Sequence, residues 1–164
     1  QPFLARAEKG IIVLCRTSNS GAGEFQDREV IPSYEDERRW KLPSGPRGES
    51  EPTHMPLYEY VARAVANDWN ENGNCALVVG ATYPDELREI RERVGDLPIL
   101  IPGIGAQGGD VEKTVTAGKD SRGQGMIINS SRGIIFASAG ADFAEAALRE
   151  TLKLHDLINQ YRSA

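Results

Sequence analysis

The sequence predicts a parallel α/β fold, and three observations carry the prediction. Four short runs, "GIIVLCR" (10–16), "NCALVVGA" (74–81), "LPILIPG" (97–103) and "GQGMIINSS" (123–131), are rich in Val, Ile and Leu with few polar interruptions. Such runs suit strands buried on both faces, as in a parallel sheet. Helical patterns separate most of these runs, so strand and helix alternate along the chain. At 164 residues, the chain is also long enough to bury one ordinary core.

The elements follow in order. The opening "QPFLARAEKG" reads as the end of a helix already under way, and Gln1 in place of an initiator methionine points to a processed product or a fragment. The first strand comes next. The segment 19–56 then breaks the rhythm: "EVIPSYEDERRWKLPSGPRGESEPTHMP" is rich in Pro, Gly, Ser and charge. It is expected to be a long loop or insertion, either a surface excursion or a lid. Over 57–71, Leu57, Val61, Ala64, Val65 and Trp69 share one helical face, and Pro56 suits the helix start. At 84–94, "PDE" opens a helix with its carboxylates at the positive end of the peptide dipoles. A short helix is expected from Asp110 to about Ala117. A last one, over about 142–161, carries Leu154, Leu157, Ile158 and Tyr161 on a stripe.

Composition narrows the function. A net charge of −5 argues against nucleic acid, which needs a basic face. No apolar run approaches the roughly 20 residues that span a bilayer, and no signal-like segment opens the chain, so a cytoplasmic protein is expected. Cys15 and Cys75 sit in strand-like runs and are expected to be reduced. His54 and His155 have no metal-ligand spacing, so neither metal nor cofactor is expected.

The stretch "GIGAQG" (103–108) fits G-x-G-x-x-G and follows an apolar strand. A dinucleotide site would also need an acidic residue about 20 positions on, at the end of the next strand. That place holds "IINSSRG", which is polar and basic. A phosphate cradle fits better. Glycines let backbone N–H groups approach phosphate oxygens, Gln107 can add an amide donor, and Arg132 a two-pronged charged one. The plain alternative is a set of tight glycine turns with a solvated arginine.

Taken together, "VLCRTSNSGAGEFQD", "LVVGATYPDEL", "IPGIGAQGGD" and "INSSRGIIFAS" closely resemble orotidine 5′-phosphate decarboxylase of the bacterial type. The resemblance implies a (β/α)8 TIM barrel that dimerises and converts orotidine 5′-monophosphate to uridine monophosphate (UMP) without metal or organic cofactor. It implies that residues 1–164 form the C-terminal half of that domain, strands five to eight with their helices. It matches Ser18 to a serine that hydrogen-bonds the pyrimidine and Pro102 to a proline bordering the base. It further matches Gln107 to a glutamine bridging to phosphate, and Arg132 and Gly133 to the phosphate grip. Ser20 stands where many relatives have proline, and the segment 31–56 is longer than the family leads one to expect.

The family's D-x-K-x-x-D arrangement does not occur in this chain. No catalytic residue is therefore expected here; the lysine and aspartates belong to the other half. Four strands alone would leave two open edges and a bare inner face, so self-association or pairing with the missing half is expected. Two alternatives remain: a related sugar-phosphate decarboxylase, and a non-catalytic half-barrel that binds nucleotide without turnover.

Overall fold

The computed structural model describes residues 2–43, 53–105 and 109–163. Its elements are β1 (Ile11–Arg16), α1 (Gly23–Gln26), β2 (Glu29–Val30), α2 (Tyr34–Arg39), β3 (Met55–Pro56), α3 (Leu57–Ala64), β4 (Cys75–Val79), α4 (Pro84–Val94), β5 (Ile99–Pro102), α5 (Val111–Gly118), β6 (Met126–Asn129), α6 (Ser131–Ile135) and α7 (Phe143–Arg162). The four apolar runs form one parallel sheet in the order β1-β4-β5-β6, so each of these strands pairs with the next of them along the chain. Helices α3, α4, α5 and α7 pack in a row, each against its neighbour.

The core lies between sheet and helices. Leu77, Val79, Ile99 and Ile101 pack with Val65, Leu87 and Ile90, and all seven are fully buried. Burying each such side chain is worth about 1.5–3 kcal/mol, which makes this layer the main source of stability. Arg91 of α4 is buried within it. Its guanidinium donates to the carbonyls of Gly95 (2.6 Å), Leu97 (2.7 Å), Gly118 (2.8 Å) and Gly125 (3.0 Å). One side chain thus ties α4 to the ends of α5 and to the entry of β6.

The opposite face of the sheet is bare. Register places Ile12 beside Ala76, Leu14 beside Val78, Val78 beside Leu100, and Leu100 beside Ile127. Ile12, Leu14 and Ile127 are 50%, 62% and 50% exposed. A parallel sheet is ordinarily covered on both faces, and this one is covered on one.

Three expectations meet a different structure. Residues 2–9 form successive turns, closed by Arg6 N–H to Phe3 C=O and Lys9 N–H to Arg6 C=O, and not a helix end. The helix after Pro56 widens into a π-helix over Val65–Trp69, which turns Trp69 off the buried face and leaves it 41% exposed. The third concerns the segment 19–56, which is structured over 19–43 and 53–56. There β2 pairs antiparallel with β3, and α2 opens on a reciprocal cap between Ser33 and Asp36. The segment has few apolar residues but concentrates them. Trp40 and Met55 are buried against Ala64, with Val30, Leu42 and Tyr60 around them. Trp40 meets the Tyr60 ring edge-on at 5.0 Å. Residues 44–52 lie outside the described residues.

Candidate functional site

The C-terminal ends of the four strands form one rim, and every candidate residue with a described position lies on it. Gly80 N–H donates to Arg16 C=O at 2.8 Å, and Ala81 N–H to Pro102 C=O at 2.8 Å, so the ends of β1, β4 and β5 are stitched together. The glycine loop after β5 is pinched at its base. Gly109 N–H donates to Gly103 C=O at 3.1 Å, and Gly105 N–H to Gly109 C=O at 3.3 Å. Gly103 and Gly105 sit at φ 104° and 75°, a region that only glycine adopts at no steric cost. From the next loop, the Ser130 hydroxyl donates to Ile104 C=O at 3.3 Å and fastens the two loops to each other.

Pro102 and Arg132 line the same cleft, of about 80 Å³, with Gly103, Asn129 and Ser131. Among the described residues Arg132 forms no ion pair, so its guanidinium is available to an anion. The first hydrogen bond within α6 is from Ile134 N–H to Ser130 C=O, which leaves the N–H groups of Ser131, Arg132 and Gly133 without a helical acceptor. A Cβ at Gly133 would come within 2.7 Å of Ser130 Oγ and would turn that hydroxyl away from its present position. Gly133 lines the adjoining apolar cleft, beside Ile134, Leu154 and Leu157. Gln107 lies outside the described residues.

Ser18 is placed apart, at the β1 end of the rim. Three strand spacings separate that end from the β6 end, about 14 Å. Its hydroxyl is buried against Gly80 and has no hydrogen-bond partner, as is also true of the Thr82 hydroxyl nearby in sequence. The structure therefore joins Pro102 and Arg132 in one cleft but does not bring Ser18 into it. Cys15, one turn of strand earlier, is no nucleophile. Its thiol donates to Tyr58 C=O at 3.2 Å, and burial pushes its pKa up to about 12. Among the described residues no cluster of His, Cys, Asp and Glu is arranged to hold a metal ion.

Residue-type reasoning did not single out Gly80, Arg16, Gln26 or Tyr83. Arg16 carried a signal: a charge closing an apolar strand must be buried with partners or snorkel. Its partners come from three other parts of the chain and could not be read locally.

No family model matches the chain. Curated relatives do match it. Orotidine 5′-phosphate decarboxylase of Janthinobacterium sp. (strain Marseille) is 48% identical over 161 residues, which is 98% of this chain and 51% of that protein. The enzyme of the same name from Ralstonia pickettii is 48% identical over 163 residues, 99% of this chain and 52% of that protein. The chain is homologous to half of an orotidine 5′-phosphate decarboxylase. It spans about half the length of the curated relatives it matches. Solved structures agree. Leishmania donovani OMP decarboxylase superposes at a TM-score of 0.72 with 35% identity, over 100% of this chain and 52% of that one. Leishmania donovani UMP synthase superposes at 0.73 with 37% identity, over 100% of this chain and 30% of that one. The four-stranded sheet with helices on one face is thus the partial (β/α)8 barrel expected of a decarboxylase of this family. Its bare face is the one that the rest of a barrel would cover.

Proposed function

We propose that the chain supplies the C-terminal half of an orotidine 5′-monophosphate decarboxylase, gripping the phosphate and part of the pyrimidine of orotidine 5′-monophosphate or UMP. The observation that carries this is the cleft shared by Pro102 and Arg132 at the foot of the glycine loop, with a free guanidinium and unpaired backbone N–H groups around it. Arg132 and Gly133 hold the phosphate, Gln107 bridges to it, Pro102 borders the base, and Ser18 meets the pyrimidine ring. The complete enzyme works as a cytoplasmic homodimer.

In this division of labour the chain binds and the other half reacts. A phosphate remote from the reacting carbon contributes binding energy that can be used to stabilise the transition state. Protonation of the carbanion left by loss of carbon dioxide needs a positioned general acid, the lysine of the half not present in these 164 residues. The chain alone is then expected to bind UMP without turning substrate over. The reading as a non-catalytic binding half rests on the same fact, that no D-x-K-x-x-D pattern occurs in the sequence.

Replacing Arg132 by Ala tests the assignment. Loss of a charge-assisted, two-pronged phosphate contact should weaken UMP binding by about 2–4 kcal/mol. Uridine, which has no phosphate, should lose far less. An equal loss for both, measured by titration calorimetry, would overturn the placement of the phosphate at Arg132.

A further inference from the structure

We infer that Gln26 and Arg16 form a polar clamp that positions the Thr17–Ser18 segment for the base of a bound nucleotide. The inference rests on the proposed pyrimidine site and adds two positioning residues to it.

The clamp begins at an irregularity. Pairing between β1 and β4 slips between Leu14 and Arg16, and the Arg16 side chain, only 3% exposed, leaves the strand into a slot between two aromatic rings. Its guanidinium carbon lies 4.1 Å from the centre of the Tyr83 ring and 5.5 Å from that of Tyr58. Both fall within cation–π range. Asp27 pairs with it at 3.0 Å, and Nη1 donates to Gln26 Oε1 at 3.3 Å. A buried cation is thereby held on three sides, by the loop after β4, by α3 and by the end of α1.

Gln26 carries that rigidity to the chain beyond β1. Its Oε1 also accepts the Thr17 N–H at 3.0 Å, and its Nε2 donates to Thr17 Oγ1 at 3.3 Å. The amide orientation follows from the network: a flipped amide would point its NH2 at two donors, the Arg16 guanidinium and the Thr17 N–H. Thr17 is therefore gripped through both its backbone and its side chain. Ser18, the next residue, carries a buried hydroxyl that no protein group satisfies. Arg16 Nε and Thr82 Oγ1 are buried and unpaired as well, but only the Ser18 hydroxyl adjoins the gripped Thr17, and we assign that hydroxyl to a ligand. Unpaired buried hydroxyls are costly, and a base presenting an amide edge would relieve this one. The rim holds Thr17 rigid so that Ser18 meets the base without first having to be ordered.

Two substitutions separate positioning from bulk packing. Gln26→Met keeps the volume and removes every polar contact. Gln26→Glu keeps both acceptor contacts, and the Thr17 hydroxyl can donate to the second carboxylate oxygen. The Thr17 amide should lose at least about tenfold of its hydrogen-exchange protection in Q26M and keep it in Q26E. UMP affinity should fall about tenfold in Q26M and recover in Q26E, while ribose 5-phosphate, which has no base, should bind all three proteins alike. The clamp is refuted if Q26M leaves Thr17 protected, if it leaves UMP affinity unchanged, or if it weakens ribose 5-phosphate equally. A wild-type chain that binds UMP no better than ribose 5-phosphate would instead overturn the base site itself. The Thr17 exchange comparison would then still decide whether the clamp exists.

Discussion

Arg91 offers the most quantitative test of how the rim is held in place. Removing its guanidinium by Arg91→Met preserves most of the aliphatic volume but deprives four carbonyls of a charged donor. The Gly125 carbonyl still accepts the Ile99 N–H at 2.9 Å, so the main loss falls on Gly95, Leu97 and Gly118. At about 1 kcal/mol net for each of these three bonds, two buried and the one to Gly95 partly exposed, and somewhat more because the donor is charged, the expected destabilisation is about 3 kcal/mol. Relief from desolvating a buried cation pulls the other way. Burial does lower the Arg91 pKa, but Asp120 and Asp96 offset that in part, and the four carbonyls compensate the charge. A loss of this size is a large fraction of the 5–15 kcal/mol typical of a folded domain.

The assay is urea denaturation at one fixed protein concentration, with Arg88→Met as the control. Arg88 sits on the same helix and makes an exposed pair with Asp85 at 2.8 Å. A pair of that kind is worth at most about 1 kcal/mol. Arg91→Lys should fall between the two, because one ammonium cannot reach carbonyls spread across α4, α5 and the entry to β6. A loss in R91M no greater than that in R88M would show that the four short distances carry no energy. The argument that Arg91 anchors β6 would then fail.

Other predictions test different links. Gly80→Ala places a methyl group that overlaps Ser18 Oγ and stands 3.0 Å from the Ser18 backbone nitrogen, so it should cost about 1–3 kcal/mol. Part of that should return in the double variant with Ser18→Ala, which removes Oγ but leaves the backbone nitrogen and Cβ at 3.0 and 3.2 Å, and no recovery on denaturation would refute the contact with Oγ. Asp120 lies below its ordinary pKa of 3.8: burial alone would raise it, but the N–H groups of Gln124 and Arg122 and the Arg122 guanidinium outweigh that. Its contribution to stability is complete above about pH 4 and is lost as pH falls through the lowered value. Asp120→Asn should therefore flatten stability against pH below about 4, and parallel curves for the two proteins would refute this. Finally, the bare sheet face should drive the 164-residue chain to self-associate. A single sharp monomer boundary in sedimentation velocity at low micromolar concentration would contradict it.

The strands were legible because their apolar runs are short, β-branched and bounded by glycine or proline, and the helices because α4 and α7 keep a regular stripe. For the segment 19–56, average composition points to a loop, while the structure places the short elements α1, β2, α2 and β3 there. What matters there is that Trp40 and Met55 cluster with Ala64 at the end of α3, which a compositional average does not register. The cap at Ser33 and Asp36 was a local signal that could have been used. At the site, Arg132 could be named from residue type and Pro102 from the resemblance, since each lines the cleft with its own side chain near its own strand end. Arg16, Gln26 and Gly80 could not. Arg16 bonds Gln26, Gln26 bonds Thr17, and Gly80 lacks a side chain where Ser18 lies. Such roles exist only once β1 and β4 are side by side.

The exposed face of the sheet bears on what the functional unit is. A sheet that evolved to face water on one side alternates apolar and polar residues along each strand. Here Ile12, Leu14, Val78, Leu100 and Ile127 share the uncovered face, and the polar residues appear only at the rim, at Ser18, Asn129 and Arg132. This is the pattern of a surface meant to be packed along its length and wet only at the strand ends, where the proposed site lies. It favours a binding rim that is one side of a closed site, with the facing side supplied by the layer that covers Ile12 and Leu14. Under the proposed function, a charged phosphate would anchor on this half and the reacting groups would come from the other, in a cavity that neither half encloses alone.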